Sequence, residues 1–231
     1  IISMLFSSLR DSKNKYSDKN AIIYNDYTLT YLELYEHTKN LGSWINSNLN
    51  PMYSVGIMLD NSLNAIVAMY GAIASNRICI PLDKDLNERN LQYIINDASI
   101  GLIITNSRYI EKVQAIDSGN NINIMLANDE DLKSSASVCI QDIIFNNSSK
   151  KINKVDLNNM STAVILYTTG TTGPKKGVKL SHLNLSAATK QINSFMNIGS
   201  WAIESLPMRL THSFGFARLR CVLESGGSVI M

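Results

Sequence analysis

The chain has 231 residues, 45% of them hydrophobic and 17% charged, with a formal net charge of +2. That length suits one large domain or two small ones with an ordinary buried core, and the near-balanced charge, with lysines scattered along the chain, leaves no electrostatic footprint for nucleic acid. No apolar stretch reaches the ~20 residues of a membrane-spanning helix, and the opening IISMLFSSLRDSK has no basic residue ahead of its apolar start, so it makes a poor signal peptide.

In chain order, Ala21 to Thr30 reads as a hairpin, AIIY and YTLT flanking Asn25-Asp26, a pair that tolerates left-handed backbone. A helix follows, opened by a capping box of Thr30 and Glu33, with Leu34, Thr38, Leu41, Ile45 and Leu49 on one face. Ser54 to Leu59 is expected as a strand, Ser62 to Ser75 as an almost wholly apolar buried helix, and Arg77 to Leu82 as another strand. Asn87 to Ala98 is helical, with Leu91, Ile94, Ile95 and Ala98 at helical spacing, and Gly101 to Thr105 returns as strand. Strands alternating with helices imply an α/β fold with a mainly parallel sheet.

From Asp117 to Asn159 the composition shifts to Asn, Ser and Lys around apolar islands at Ile122 to Leu126 and Val138 to Phe145. Asn146 to Lys154 is the expected exposed linker, with an internal boundary near 146–160. Further on, Ser181 is an expected N-cap, with Leu185, Ala188, Ile192 and Met196 as the apolar stripe of its helix. Cys79, Cys139 and Cys221 are odd in number, far apart and set among apolar neighbours. They read as small buried hydrophobes in a reducing cytoplasm, and their spacing suits no metal.

The richest stretch is YTTGTTGPKKGV, Tyr167 to Val178, directly after the buried-strand run Ser161 to Tyr167. Gly170, Gly173 and Gly177 are expected at positive φ, letting main-chain N–H groups converge on an anion. Thr168, Thr169, Thr171 and Thr172 supply hydroxyl donors, and Lys175 and Lys176 supply charge for phosphate. It is not a P-loop, because no lysine here is followed by Ser or Thr, and the dinucleotide fingerprint is absent as well. A Gly/Thr/Lys surface hairpin with no ligand fits the composition too.

Tyr167 to Val178 resembles the phosphate-binding signature of the adenylate-forming superfamily, which contains acyl-CoA synthetases, peptide-synthetase adenylation domains and luciferases. Tyr167, Thr168, Thr169, Gly170, Thr171, Thr172, Gly173, Lys176, Gly177 and Val178 match it; the family proline falls on Lys175, with Pro174 one place early. YLELYEHTKNLGSWI and the segment from Ala72 to Ser99 resemble earlier parts of the family more loosely, with Asn76 where a helix-end glycine is usual. LPMRLTHSFGFA resembles the segment bordering the carboxylate pocket, with Pro207, His212, Phe214 and Gly215 in its places. His182 is expected only to open a helix.

The resemblance implies the amino-terminal part, over 1–231, of an enzyme that joins ATP and a carboxylic acid into an acyl-adenylate and releases pyrophosphate. The acyl group would then pass to coenzyme A or to the phosphopantetheine arm of a carrier protein. On this reading Lys176 and His212 are catalytic. Thr168, Thr169, Gly170, Thr171, Thr172, Gly173 and Lys176 bind the phosphates, with Mg2+ sharing the charge and no metal ligand assignable in the chain. The alternative is a non-catalytic nucleotide- or pyrophosphate-binding fragment, or a half-enzyme needing a partner chain. Because the chain begins with Ile and stops at Met231 inside an expected strand, unpaired strand groups and uncovered apolar surface are expected at Val229 to Met231.

Overall fold

The computed structural model describes residues 4–116, 122–127, 138–145, 160–168 and 175–231. It opens with a helix that the sequence reading did not anticipate, α1 (Met4–Tyr16), which buries Leu5, Phe6, Leu9 and Ser12. The spacing of those residues is helical. The hairpin follows as β1 (Asn20–Tyr24) and β2 (Tyr27–Thr30), with Asn25 at φ 52° in the turn.

Helix α2 (Tyr31–Asn48) starts where the capping box places it: Thr30 Oγ1 accepts from Glu33 N–H at 3.2 Å, and a Glu33 carboxylate oxygen accepts from Thr30 N–H at 2.8 Å. Thr30→Ala strands one of these donors and is expected to cost about 1 kcal/mol of stability, read as an earlier denaturant midpoint with unchanged slope.

Next come β3 (Ser54–Met58), α3 (Leu63–Ala74), β4 (Cys79–Pro81), α4 (Glu88–Asp97) and β5 (Ile100–Thr105). α3 is buried along its length because α2 packs closely on it; a Cβ at Gly42 would lie 2.9 Å from that of Ala74. After α3 the chain reverses through Asn76 at φ 59°, the left-handed conformation expected of it. Buried Arg77 then donates to the carbonyls of Ser75 and Leu49, which takes this residue out of the expected strand. Asn76→Gly is expected to be nearly neutral and Asn76→Ala to cost about 1 kcal/mol, since a Cβ is disfavoured at positive φ; thermal unfolding of the two variants side by side checks this.

The remaining elements are α5 (Ile110–Ile116), β6 (Asn123–Leu126), β7 (Val138–Cys139), α6 (Ile140–Phe145), β8 (Thr162–Tyr167), β9 (Gly177–Ser181), α7 (His182–Met196), β10 (Ile203–Ser205), α8 (Ser213–Ser225) and β11 (Ser228–Ile230). The expected linker Asn146 to Lys154 lies outside the described residues. Of the stripe expected on α7, Leu185 is buried but Met196 is 53% exposed. The covered face also takes Ser186 and Thr189, because the buried Arg220 guanidinium of α8 donates to Leu185 O and Thr189 Oγ1. Cys79 and Cys221 are buried as expected and Cys139 is only partly so.

Two sheets result, mainly parallel as the alternation implied. The larger runs β7-β6-β5-β3-β4-β8-β9, parallel except for the β8–β9 pair. One apolar cluster covers the side of α2 and α3, and a second, built from Leu91, Ile94, Ile95, Ile103 and Val113, lies under α4 and α5. From β3 the chain steps one way to β4 and then back across to β5. This is the doubly wound arrangement, whose ligands sit beyond the carboxyl ends of the strands.

The smaller sheet runs β10-β11-β1-β2. It corrects one expectation: β11, last in the chain, lies inside its sheet, with Val229 paired to Ile22 on one side and to Glu204 on the other, and Met231 N–H donating to Ile23 O. A parallel crossover, not position in the chain, decides which strand is central. The open edges are β10 and β2, where Ile203 and Tyr27 are 67% and 69% exposed.

Candidate functional site

β8 runs parallel to β4 with Val164 level with Cys79, so the chain after Tyr167 and the chain after Pro81 leave neighbouring strands at the same carboxyl end, ~4.8 Å apart across the ladder. β8 folds straight back as β9, with Tyr167 level with Gly177. The described ends of the signature stretch, Tyr167–Thr168 and Lys175–Val178, therefore form the base of a β8–β9 hairpin at the carboxyl edge of the sheet. Thr168 N–H donates to Lys176 O at 3.0 Å and closes that base. Thr169, Gly170, Thr171, Thr172 and Gly173 lie outside the described residues.

Thr168 and Lys176 are both exposed, and no ion pair among the described residues involves Lys176. Lys175 beside it is half-buried. One expectation about the glycines needs correcting. Gly177 does not take positive φ, since Gly226 is the one glycine that does among the described residues. Gly177 serves close approach instead: a Cβ there would stand 2.8 Å from Ile165 Cγ2 and 3.1 Å from Tyr167 Cζ, so a bare α-carbon lets the tyrosine ring lie across the strand pair.

The second segment at this edge joins β10 to α8. Asn61, just beyond β3, clamps it: the side-chain amide donates to Met208 O at 2.8 Å, and the side-chain oxygen accepts from Leu210 N–H at 3.0 Å. Arg209 donates to both oxygens of Asp83, at 3.0 and 3.1 Å, and to Asp85 at 2.8 Å. His212 stands at the N-cap of α8 without capping it, its side chain half exposed and Nε2 3.8 Å from Asp83 Oδ2. Gly215 has no room for a Cβ against the Arg209 and Met208 carbonyls, because the segment wraps over the first turn of α8.

Asp83 follows β4 and Thr168 follows β8, the adjacent strand. Asp83 thus ties His212 to the end of β4, the strand next to β8, at the same carboxyl edge where Thr168 and Lys176 stand. None of Asn61, Asp83, Asp85 and Arg209 carries a local motif. An acid directly beyond a strand was the one available signal, and it gains meaning only when Arg209, 126 residues from Asp83, packs against it.

A further charged group lies beyond β3 and β5. Asp60 accepts from Arg108 at 2.7 Å and from the Tyr109 hydroxyl at 2.6 Å, and pairs with Lys84 at 3.1 Å. Burial alone would raise its carboxyl, but Tyr109 and Lys84 outweigh that and hold it below the ordinary value. These charges satisfy one another. His182 is the first residue of α7, 3% exposed, and burial pushes its imidazole down to about 4; as expected, it opens a helix.

Among the described residues no three His, Cys, Asp or Glu side chains converge to hold a metal. No helix among the described residues is long and apolar enough to cross a membrane.

The sequence profile of the family described as "AMP-binding enzyme" matches residues 9–231. Bacitracin synthase 3 of Bacillus licheniformis is 28% identical over 190 residues, covering 81% of this chain and 3% of that protein. The structure of ATP-bound MatB from Rhodopseudomonas palustris superposes with a TM-score of 0.85 at 21% identity, over 100% of this chain and 45% of that one. A long-chain-fatty-acid-CoA ligase, FadD1 from Archaeoglobus fulgidus, superposes with a TM-score of 0.85 at 23% identity, over 99% of this chain and 46% of that one. The chain spans about half the length of these solved structures and a small part of the peptide synthase.

Proposed function

The chain belongs to the AMP-binding enzyme family, and from that premise we propose that it supplies the phosphate grip and part of the carboxylate pocket of an acyl-adenylate-forming enzyme. The observation that carries this reading is the hairpin base at the carboxyl edge, with Thr168 and Lys176 exposed there, no ion pair to Lys176 among the described residues, and the His212 segment held at the end of the adjacent strand β4.

In the proposed reaction an oxygen of the acid attacks the α-phosphorus of ATP while the bond to pyrophosphate breaks. Negative charge gathers on the departing pyrophosphate. Such a step needs placement and charge stabilisation more than proton transfer. Lys176 would hold the β and γ phosphates, with the Thr168 hydroxyl as a nearby donor and with Thr169, Gly170, Thr171, Thr172 and Gly173 assigned to the same grip by the family resemblance. Magnesium, arriving with the nucleotide, would share that charge. His212, held by the Asn61 and Arg209 contacts of its segment, would border the carboxylate of the acid. A thiol acceptor, coenzyme A or a carrier-protein phosphopantetheine, completes the proposal for the whole enzyme, of which residues 1–231 would be the amino-terminal AMP-binding part.

The test is acid-dependent ATP–pyrophosphate exchange, run on the chain alone and with a polypeptide carrying the remaining portion of a family domain. Exchange in either arm that requires a carboxylic acid supports the reading. Nucleotide binding with no exchange in both arms would reduce the chain to a non-catalytic binder.

A further inference from the structure

Tyr167 ends β8 at the hairpin base, and Asp97 ends α4. They are 70 residues apart in the chain, yet the Tyr167 hydroxyl donates to Asp97 Oδ2 at 2.6 Å. The ring on the way to that contact lies across Gly177, the first residue of the returning strand, where a Cβ would stand only 3.1 Å from Tyr167 Cζ. One residue further on, Thr168 N–H reaches Lys176 O. The base of the hairpin is thereby fixed three ways: across the pair by the backbone, over Gly177 by the ring, and onto α4 by the phenol. Burial, with Asp97 beside it, pushes the phenol well above its ordinary value, so it remains a donor.

The Asp97 carboxylate is exposed and accepts the phenol's hydrogen bond. A carboxylate near a polyphosphate is electrostatically unfavourable in itself, so a role in geometry accounts for it better than a role in binding. Without the contact, the ring keeps only its packing over Gly177 and on the apolar cluster, and the last residue of β8 loses its polar tie to α4.

We propose that Asp97 is a positioning residue for the phosphate grip: by holding Tyr167 it sets the direction in which the chain leaves β8, and so where Thr168 and Lys176 meet the triphosphate of ATP. This rests on the reading of that hairpin as a phosphate site. Neither residue touches phosphate in the proposal; both act through the hairpin base.

The test uses the chain of residues 1–231 with Tyr167→Phe, Asp97→Ala, their double substitution, and Asp97→Asn, measuring MgATP affinity by calorimetry and Tm on the same samples. Tyr167→Phe and Asp97→Ala should each weaken binding about 3- to 10-fold, the range for one lost hydrogen bond, and the double substitution should weaken it no further. Asp97→Asn keeps an acceptor for the phenol and should stay within about 2-fold of the unsubstituted chain. Unchanged affinity in Tyr167→Phe and Asp97→Ala would overturn the positioning role alone. So would losses that add in the double substitution or that merely follow Tm, and so would Asp97→Asn being as damaging as Asp97→Ala. An unsubstituted chain that binds no MgATP would overturn the phosphate reading itself, and this inference with it.

Discussion

Lys176→Ala is expected to slow acyl-adenylate formation by roughly 30- to 1,000-fold, about 2–4 kcal/mol, the scale for losing one preorganised group that stabilises developing charge. Lys176 is exposed at the base of the hairpin, its carbonyl takes the Thr168 N–H, and no described carboxylate competes for its ammonium. The opposing effect is solvation: an exposed ammonium is strongly hydrated when no ligand is present, so the gain arises only once a bound nucleotide displaces that water. Lys175→Ala should cost far less, because Lys175 stands where the family signature has proline and its side chain is half-buried. Acid-dependent pyrophosphate exchange of the two variants, in whichever arm turns over, separates them. Equal losses at both positions would mean the signature is misaligned by one residue.

The second large effect concerns stability. His182 is 3% exposed and burial holds its imidazole at about 4, against an ordinary 6.5. Between those pH values the unfolded chain takes up a proton that the folded chain refuses. The contribution is therefore fully present above pH 6.5 and is lost as pH falls toward 4, by roughly 2 kcal/mol at pH 5. His37, also lowered by burial, acts in the same direction, while Glu224, raised chiefly by burial, acts in the opposite one. Only a variant isolates the site. His182→Leu should remove that ~2 kcal/mol of pH dependence from urea midpoints compared at pH 7.5 and pH 5. At pH 7.5 it should cost little for want of a partner, since Nδ1 is buried without one among the described residues. An unchanged pH profile in His182→Leu would show that the imidazole is protonated in the fold.

What the sequence disclosed and what it hid follow from the range of the forces involved. Thr30 and Glu33, three residues apart, announce the start of α2 because a capping box closes within one turn. Asn76 announces a left-handed turn because its own backbone preference is the cause. Ser62, Asn87 and Ser181 mark the starts of α3, α4 and α7 because each side-chain oxygen accepts from the amide three residues on. Helix α1 was hidden because its apolar residues are few and were weighed only as a signal sequence. The placing of β11 between β1 and β10 was hidden because no local pattern records which strands meet across a crossover.

At the site the same division holds. The hairpin residues stand out because hydroxyls, glycines and lysines fall within one short stretch, and family resemblance then adds His212. Asn61, Asp83, Asp97 and Arg209 are ordinary polar residues until the fold sets Asn61 against Leu210, Asp83 against Arg209 and Asp97 against Tyr167. The misjudged α7 stripe has the same origin. Arg220, buried from the neighbouring helix, takes the Leu185 carbonyl and the Thr189 hydroxyl, so α7 must present polar groups on a face that periodicity assigns to the core.

Whether the β8–β9 hairpin base and the His212 segment form one nucleotide-binding edge is tested by a backbone amide NMR titration of residues 1–231 with MgATP. Shifts are expected to saturate together at Thr168, Lys176 and Val178 and at Asp83, Arg209 and His212, with the Asp60, Lys84 and Arg108 group and the β2 edge unmoved. Saturable shifts confined to other parts of the fold, or none at Thr168 and Lys176 at millimolar nucleotide, would contradict a shared edge.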